Sequence, residues 1–116
     1  MKHNQILGNQ GEELAANFLK KNKYKIINRN YRTPYGEIDI IARKNKLIVF
    51  VEVKTRSTTY FGSGLEAITR KKYNTMCECA KYYIAAEQIH NPVRIDVISI
   101  DMSAENSVTH IMGVEL

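Results

Sequence analysis

Glu52 and Lys54 are the residues that first suggest chemistry. They stand two apart in Leu47-Ile48-Val49-Phe50-Val51-Glu52-Val53-Lys54-Thr55-Arg56. The apolar run leading into them is too short for a helix and rich in strand formers, which predicts a central strand buried on both faces. Alternation along such a strand puts Ile48, Phe50, Glu52 and Lys54 on one face and Leu47, Val49, Val51 and Val53 on the other. Ionised groups on a hydrophobic strand need a partner or a metal to offset their desolvation. Taken alone, a Glu-x-Lys is more often a salt-bridged strand end than a site, so the surrounding elements must decide.

The preceding hairpin can supply a second carboxylate. Glu37 to Ala42 predicts a strand that returns through a tight Arg43-Lys44-Asn45-Lys46 connection into the central one. If Arg43 and Lys46 close a two-residue turn, Asp39 faces Phe50 and Glu52 is its diagonal neighbour on the same face. Moving the register by two residues puts Asp39 directly opposite Glu52, and moving it by one sends Asp39 to the other face. A third carboxylate can come from a helix predicted over Gln5 to Asn22, where Leu7, Leu14, Ala15, Phe18 and Leu19 recur at helical steps and Lys20, Lys21 and Lys23 follow. Gly8, Gly11, Ala15 and Ala16 leave one side of that helix small enough to lie close to a sheet. Glu12 belongs to this side, whereas Glu13 groups with Asn17 and Lys20 on the wet face. Carboxylates that converge repel one another and invite a hard divalent cation, Mg²⁺ or Mn²⁺. With Lys54 to steady water and developing charge, the chemistry suggested is phosphodiester hydrolysis.

Tyr24 to Tyr31 predicts a first strand, Thr33-Pro34-Tyr35-Gly36 a turn, and Ser57 to Gly64 a polar loop carrying Tyr60 and Phe61. Leu65 to Glu87 predicts a second helix, with Ile68, Met76, Ala80, Tyr83 and Ile84 on its apolar side, ended by His90-Asn91-Pro92. Val93 to Asp101 predicts a fourth strand and Val108 to Val114 a fifth. The expected fold is therefore α/β: one domain over residues 1–116, ordered αβββαβ(β), with helices packed on a mixed sheet. Glu37 reads as solvated at a turn edge, and Asp96, between Ile95 and Val97, as a buried, hydrogen-bonded structural residue. Cys77 and Cys79, two apart on a helix, suit neither a disulfide nor a shared metal and read as small hydrophobes.

Asp39, twelve intervening residues, then Glu52-Val53-Lys54 resembles the motif of PD-(D/E)xK nucleases, whose core has the same order of elements; Ile38 stands where the motif's name has proline. Gly11-Glu12, Gly36-Glu37-Ile38-Asp39, Val49 to Arg56, Phe61-Gly62, Lys72 and Arg94-Ile95-Asp96-Val97 resemble the YraN-like uncharacterised protein family. That family is similar to archaeal Holliday junction resolvases. The resemblance implies a restriction endonuclease-like core in which Glu12, Asp39, Glu52 and Lys54 are catalytic, with Asp39, Glu52 and Glu12 at the metal. It also implies DNA, branched DNA first, as substrate, and a homodimer able to cut two strands symmetrically.

Composition is compatible with this. The 116 residues carry 17 Lys+Arg against 12 Asp+Glu, a formal charge of +5 that favours polyanionic partners. Arg56, at the exit of the central strand, is the best candidate for gripping a phosphate, followed by Lys72. No apolar run is long enough to cross a membrane and the N-terminus leads into no signal-peptide core, so the expected compartment is the cytoplasm. The three histidines are scattered without ligand spacing, which argues against zinc. Two rival functions are a nucleic-acid-binding domain that keeps the fold without turnover, and a basic protein-interaction module in which the acidic cluster is only structural.

Overall fold

The computed structural model describes residues 3–56, 68–103, 105 and 107–115, with the side chains of residues 3–7 outside the description. The elements are α1 (His3–Lys21), β1 (Lys25–Thr33), β2 (Gly36–Lys44), β3 (Leu47–Arg56), α2 (Arg70–Ala86), β4 (Val93–Asp101) and β5 (Ser107–Ile111). The expected loop over 57–64, with Tyr60 and Phe61, and the expected helix start over 65–67 lie outside the described residues. The order is the expected αβββαβ(β). The strands form one five-stranded sheet in chain order, antiparallel except for β3 beside β4. A parallel pair needs a long crossover, and α2 lies on it.

β3 is central and buried on both faces, as its composition requires. Val49, Val51 and Val53 meet Ala15, Ala16 and Leu19 of α1, together with Ile98 and Ile100 of β4. Ile48 and Phe50 point the other way, into a cluster with Cys79, Ala80 and Tyr83 of α2. Two helical layers therefore sandwich the sheet. α1 lies close because Gly11 permits it: a Cβ there would overlap the Thr55 side chain. Gly8, by contrast, has no described residue within 4 Å of where a Cβ would go.

The two ends of α2 have local causes, and the residue Ile68 falls differently from expectation. Ile68 precedes α2 rather than lying on it, because Thr69 caps the helix and its side chain accepts from the Lys72 N–H. Ile68 and Tyr73 flank that cap and join one apolar cluster with Met76 and Val97. The helix also ends before Pro92. Gln88 adopts a left-handed conformation, and Ile89 N–H bonds back to the Ile84 carbonyl while Gln88 N–H bonds to that of Ala85.

The β4–β5 end is pinned by Asp96, which is fully buried as the sequence suggested. It accepts from Arg94 through two nitrogens, both at 2.8 Å, and from the Gly113 N–H at 3.0 Å, and lies 2.7 Å from His110 Nε2. Arg94 also donates to the Tyr24 hydroxyl. Burial alone would raise the Asp96 pKa, but these bonds together hold it below the usual carboxylate range.

Two stability predictions follow from this packing. Gly11→Ala, despite the better helix propensity of alanine, should destabilise by about 1–3 kcal/mol in urea denaturation. Adding Thr55→Ala should recover part of that loss. Asp96→Ala strands Arg94 and His110 and should cost about 3–5 kcal/mol by the same measurement. A loss under 1 kcal/mol would show that the network holds nothing in place.

Candidate functional site

The hairpin between β2 and β3 turns on Asn45 and Lys46, with Asn45 left-handed at φ 56°. Asn tolerates that conformation better than most residues. Lys44 then pairs with Leu47, Arg43 with Ile48, Ala42 with Val49, Ile41 with Phe50 and Ile40 with Val51. Of the registers open to the sequence, this one points Asp39 at Glu52.

The ladder stops there. Beyond Ile40 and Val51, β2 stays with β1 while β3 continues beside β4 as far as Arg56. At the fork, the Asp39 carboxylate takes the place of the next ladder bond, its Oδ2 accepting from the Val53 N–H at 2.8 Å. Alternation in β2 breaks at the same point, since Ile40 packs on the α1 side and Ile38 on the α2 side. β1 gives way too, with Asn30 left-handed at φ 55°.

The fork opens a cleft of about 310 Å³, lined by Gly8, Glu12, Asp39, Glu52, Val53, Lys54 and Thr55. All four residues expected to be catalytic thus line one cleft. Gly8 finds its reason here, because its missing side chain leaves room beside Glu12. Glu13, on the opposite flank of α1, makes an exposed ion pair with Arg29 at 2.9 Å. Asn30 holds Glu12 in position: with its amide nitrogen facing the carboxylates, it donates to Glu12 and Glu37, each at 3.2 Å. Nothing in the sequence pointed to Asn30 beyond the oddity of an Asn within a strand pattern.

Lys72 has a partner that the sequence did not show. Its Nζ lies 3.4 Å from Glu52 Oε2, so it faces a buried carboxylate. The cause is topological. Glu52 is on the α2 face of β3, and the third residue of α2 overlooks it. Arg56 lies outside the cleft lining, half-buried at the end of β3 and paired in register with Asp101. There the Ser103 side chain chiefly, with the charge of Arg56 adding, holds the Asp101 carboxyl low.

Electrostatically the cleft is strained. Glu52 is only 5% exposed. Burial, then the charge of Asp39 and a hydrogen bond shared with it, push the Glu52 pKa up to about 8, against the opposing pull of Lys72. Glu12 is also raised, first by burial and then by Asp39. Near neutral pH the burial of Glu52 and the neighbouring Asp39 charge therefore favour its protonated form.

This donor set is all oxygen, rich in negative charge and short of neutralisation, which fits a hard divalent cation. Among the described residues no three His, Cys, Asp or Glu side chains already enclose an ion position. Asp39 and Glu52 are the residues that would hold such an ion.

Residues 11–100 match the uncharacterised protein family UPF0102. The chain belongs to this family. It is 45% identical over 106 residues to a UPF0102 protein of Caldicellulosiruptor saccharolyticus, covering 90% of each chain. It is 43% identical over 112 residues to one of Syntrophomonas wolfei (95% of this chain, 97% of the relative), and 44% identical over 104 residues to one of Geobacter metallireducens (89% and 85%). The UPF0102 match spans Glu12, Asn30, Asp39, Glu52, Lys54 and Lys72, so the whole side-chain constellation lies inside the family region. No described helix is long and apolar enough to cross a membrane.

The raised Glu52 pKa makes a signed prediction. A carboxyl whose folded pKa exceeds its unfolded value contributes stability that is complete below the unfolded pKa and is lost as pH rises through the folded one. Between pH 4.5 and about 8, the two values for Glu52, its contribution should therefore fall. The loss should be on the order of 5 kcal/mol. Glu52→Gln should flatten this slope in thermal melts across that range and be more stable than the parent at pH 8. A parent stability flat over that interval would mean that Glu52 ionises normally.

Proposed function

We propose that this UPF0102 protein is a divalent-metal-dependent nuclease that hydrolyses phosphodiester bonds in DNA, with branched DNA the first substrate to test. The single observation that carries the reading is the fork: Asp39 and the buried Glu52 in contact, with Glu12 and Lys54 in the same cleft. Asp39 and Glu52 would hold Mg²⁺ or Mn²⁺, with Glu12 facing the same space. When bound, the cation supplies Lewis acidity toward the scissile phosphate.

The chain's own residues supply the rest. Lys54, leaving the buried strand at the cleft mouth, positions the attacking water with its ammonium and stabilises charge that develops on the phosphoryl oxygens. Lys72 keeps Glu52 from being a wholly uncompensated buried acid and orients it from the α2 side. Asn30 fixes Glu12. The Val53 N–H fixes Asp39, so its carboxylate cannot swing away from Glu52. Water adds across the P–O bond: its oxygen joins phosphorus, and the displaced strand end leaves with a proton.

The decisive experiment incubates branched, single-stranded and duplex DNA with the protein and Mg²⁺ or Mn²⁺. Cleavage should need the metal and fall at least about 100-fold in Asp39→Ala and in Lys54→Ala, with DNA affinity retained. Binding without any cleavage by the parent protein would establish a non-catalytic nucleic-acid-binding domain instead. Cleavage indifferent to Asp39→Ala would place the chemistry elsewhere.

A further inference from the structure

The carboxylate cleft continues past Lys54. That residue also lines an adjoining hollow with Thr69, Lys71, Lys72 and Thr75. Lys71 and Thr75 in turn line a third hollow, which reaches Arg70 and Tyr35. The three hollows share side chains and form one track. It runs from the fork along the first half of α2 to the turn between β1 and β2. At 1.5 Å of rise per residue, the stretch from Thr69 to Glu78 spans about 14 Å, room for roughly two or three phosphates of a single strand.

Its charge is one-sided. Among the described residues, Lys54, Arg70 and Lys71 line it, with Lys72 turned toward Glu52, against one acid on the track itself, Glu78, which is drawn off by Lys81 at 3.5 Å. The first turn of α2 contains no acidic residue to oppose the positive end of the helix dipole. The far end carries a different chemistry. Tyr35 is 57% exposed, yet it sits in an ordered turn, where Thr33 Oγ1 accepts from its N–H and donates to the Gly36 carbonyl. Gly36 cannot be replaced cheaply there, having φ 146° and the Thr75 side chain 3.0 Å from where a Cβ would lie. The turn is thereby held against α2, which keeps the exposed ring at the end of the basic track. A row of cations ending in a presented aromatic face suits a polyanion that carries planar groups, since bases stack on such rings irrespective of sequence.

We propose that this track holds one DNA strand flanking the cut, with phosphates along Arg70 and Lys71 and a base stacked on Tyr35. The inference rests on the nuclease reading of the adjoining cleft and extends it to how the substrate lies. None of these three residues touches the carboxylates, so binding and turnover can be measured separately.

The test is fluorescence anisotropy of a labelled single-stranded oligonucleotide in EDTA, titrated at several salt concentrations. The Arg70→Ala/Lys71→Ala variant should bind at least about tenfold more weakly near 0.1 M salt, and its log K against log salt slope should be shallower by about 1.4. Tyr35→Ala should weaken binding roughly tenfold for a normal strand and leave an abasic strand of equal length unaffected. Unchanged affinity in the double variant overturns the track while leaving the nuclease reading intact. Variant-sensitive binding without metal-dependent cleavage overturns the nuclease reading and leaves the track standing. A Tyr35→Ala loss that persists in full on the abasic strand overturns the stacking assignment.

Discussion

The Val53 N–H is taken by the Asp39 carboxylate where a continuing β2 strand would have offered a backbone carbonyl. That substitution lets β2 leave β3 without orphaning a donor, which in the interior would cost about 1–3 kcal/mol. It also puts a carboxylate where the gap between β2 and β3 opens. Everything distinctive about the site depends on this fork. Without it, Glu52 would be covered by its neighbouring strand, Glu12 would face backbone, and Lys54 would have no cavity to enter.

The rest of the fold holds the fork open. α1 approaches closely through Gly11 and leaves space at Gly8, bringing Glu12 over the gap. α2 must cross the opposite face because β3 and β4 are parallel, and that crossing sets Lys72 beside Glu52. One helix thus contributes an acid and the other a base to the same sheet position. The two apolar layers anchoring these helices on β3 are the reason both side chains hold their places.

Two of the buried carboxylates of the sheet, Asp96 and Glu52, have opposite electrostatics. Asp96 is surrounded by donors from Arg94, His110 and Gly113, and they outweigh the cost of its burial. Glu52 meets one lysine at 3.4 Å and a second carboxylate, and burial prevails. A satisfied buried acid ties structure together. An unsatisfied one beside another acid stores a demand for positive charge, and that demand marks the candidate site.

Much of this was determined by local sequence. The five-residue apolar run ending in Glu-x-Lys could only be a buried strand, and alternation alone placed Ile48, Phe50, Glu52 and Lys54 on one face. Small residues at helical spacing marked the sheet-facing side of α1 and put Glu12 on it. The hairpin left three registers open, two of which put Asp39 on the face of Glu52. Which of the remaining registers holds depended on the turn, where Asn45 accepts a left-handed backbone and Lys46 joins the loop rather than the strand. Contacts between elements distant in sequence were decided only by the tertiary structure: Lys72 on Glu52, Asn30 on Glu12, His110 on Asp96. Periodicity reports which face of its own element a residue occupies. What lies across from that face is set by how the helices cross the sheet, a long-range outcome of packing that no local pattern encodes.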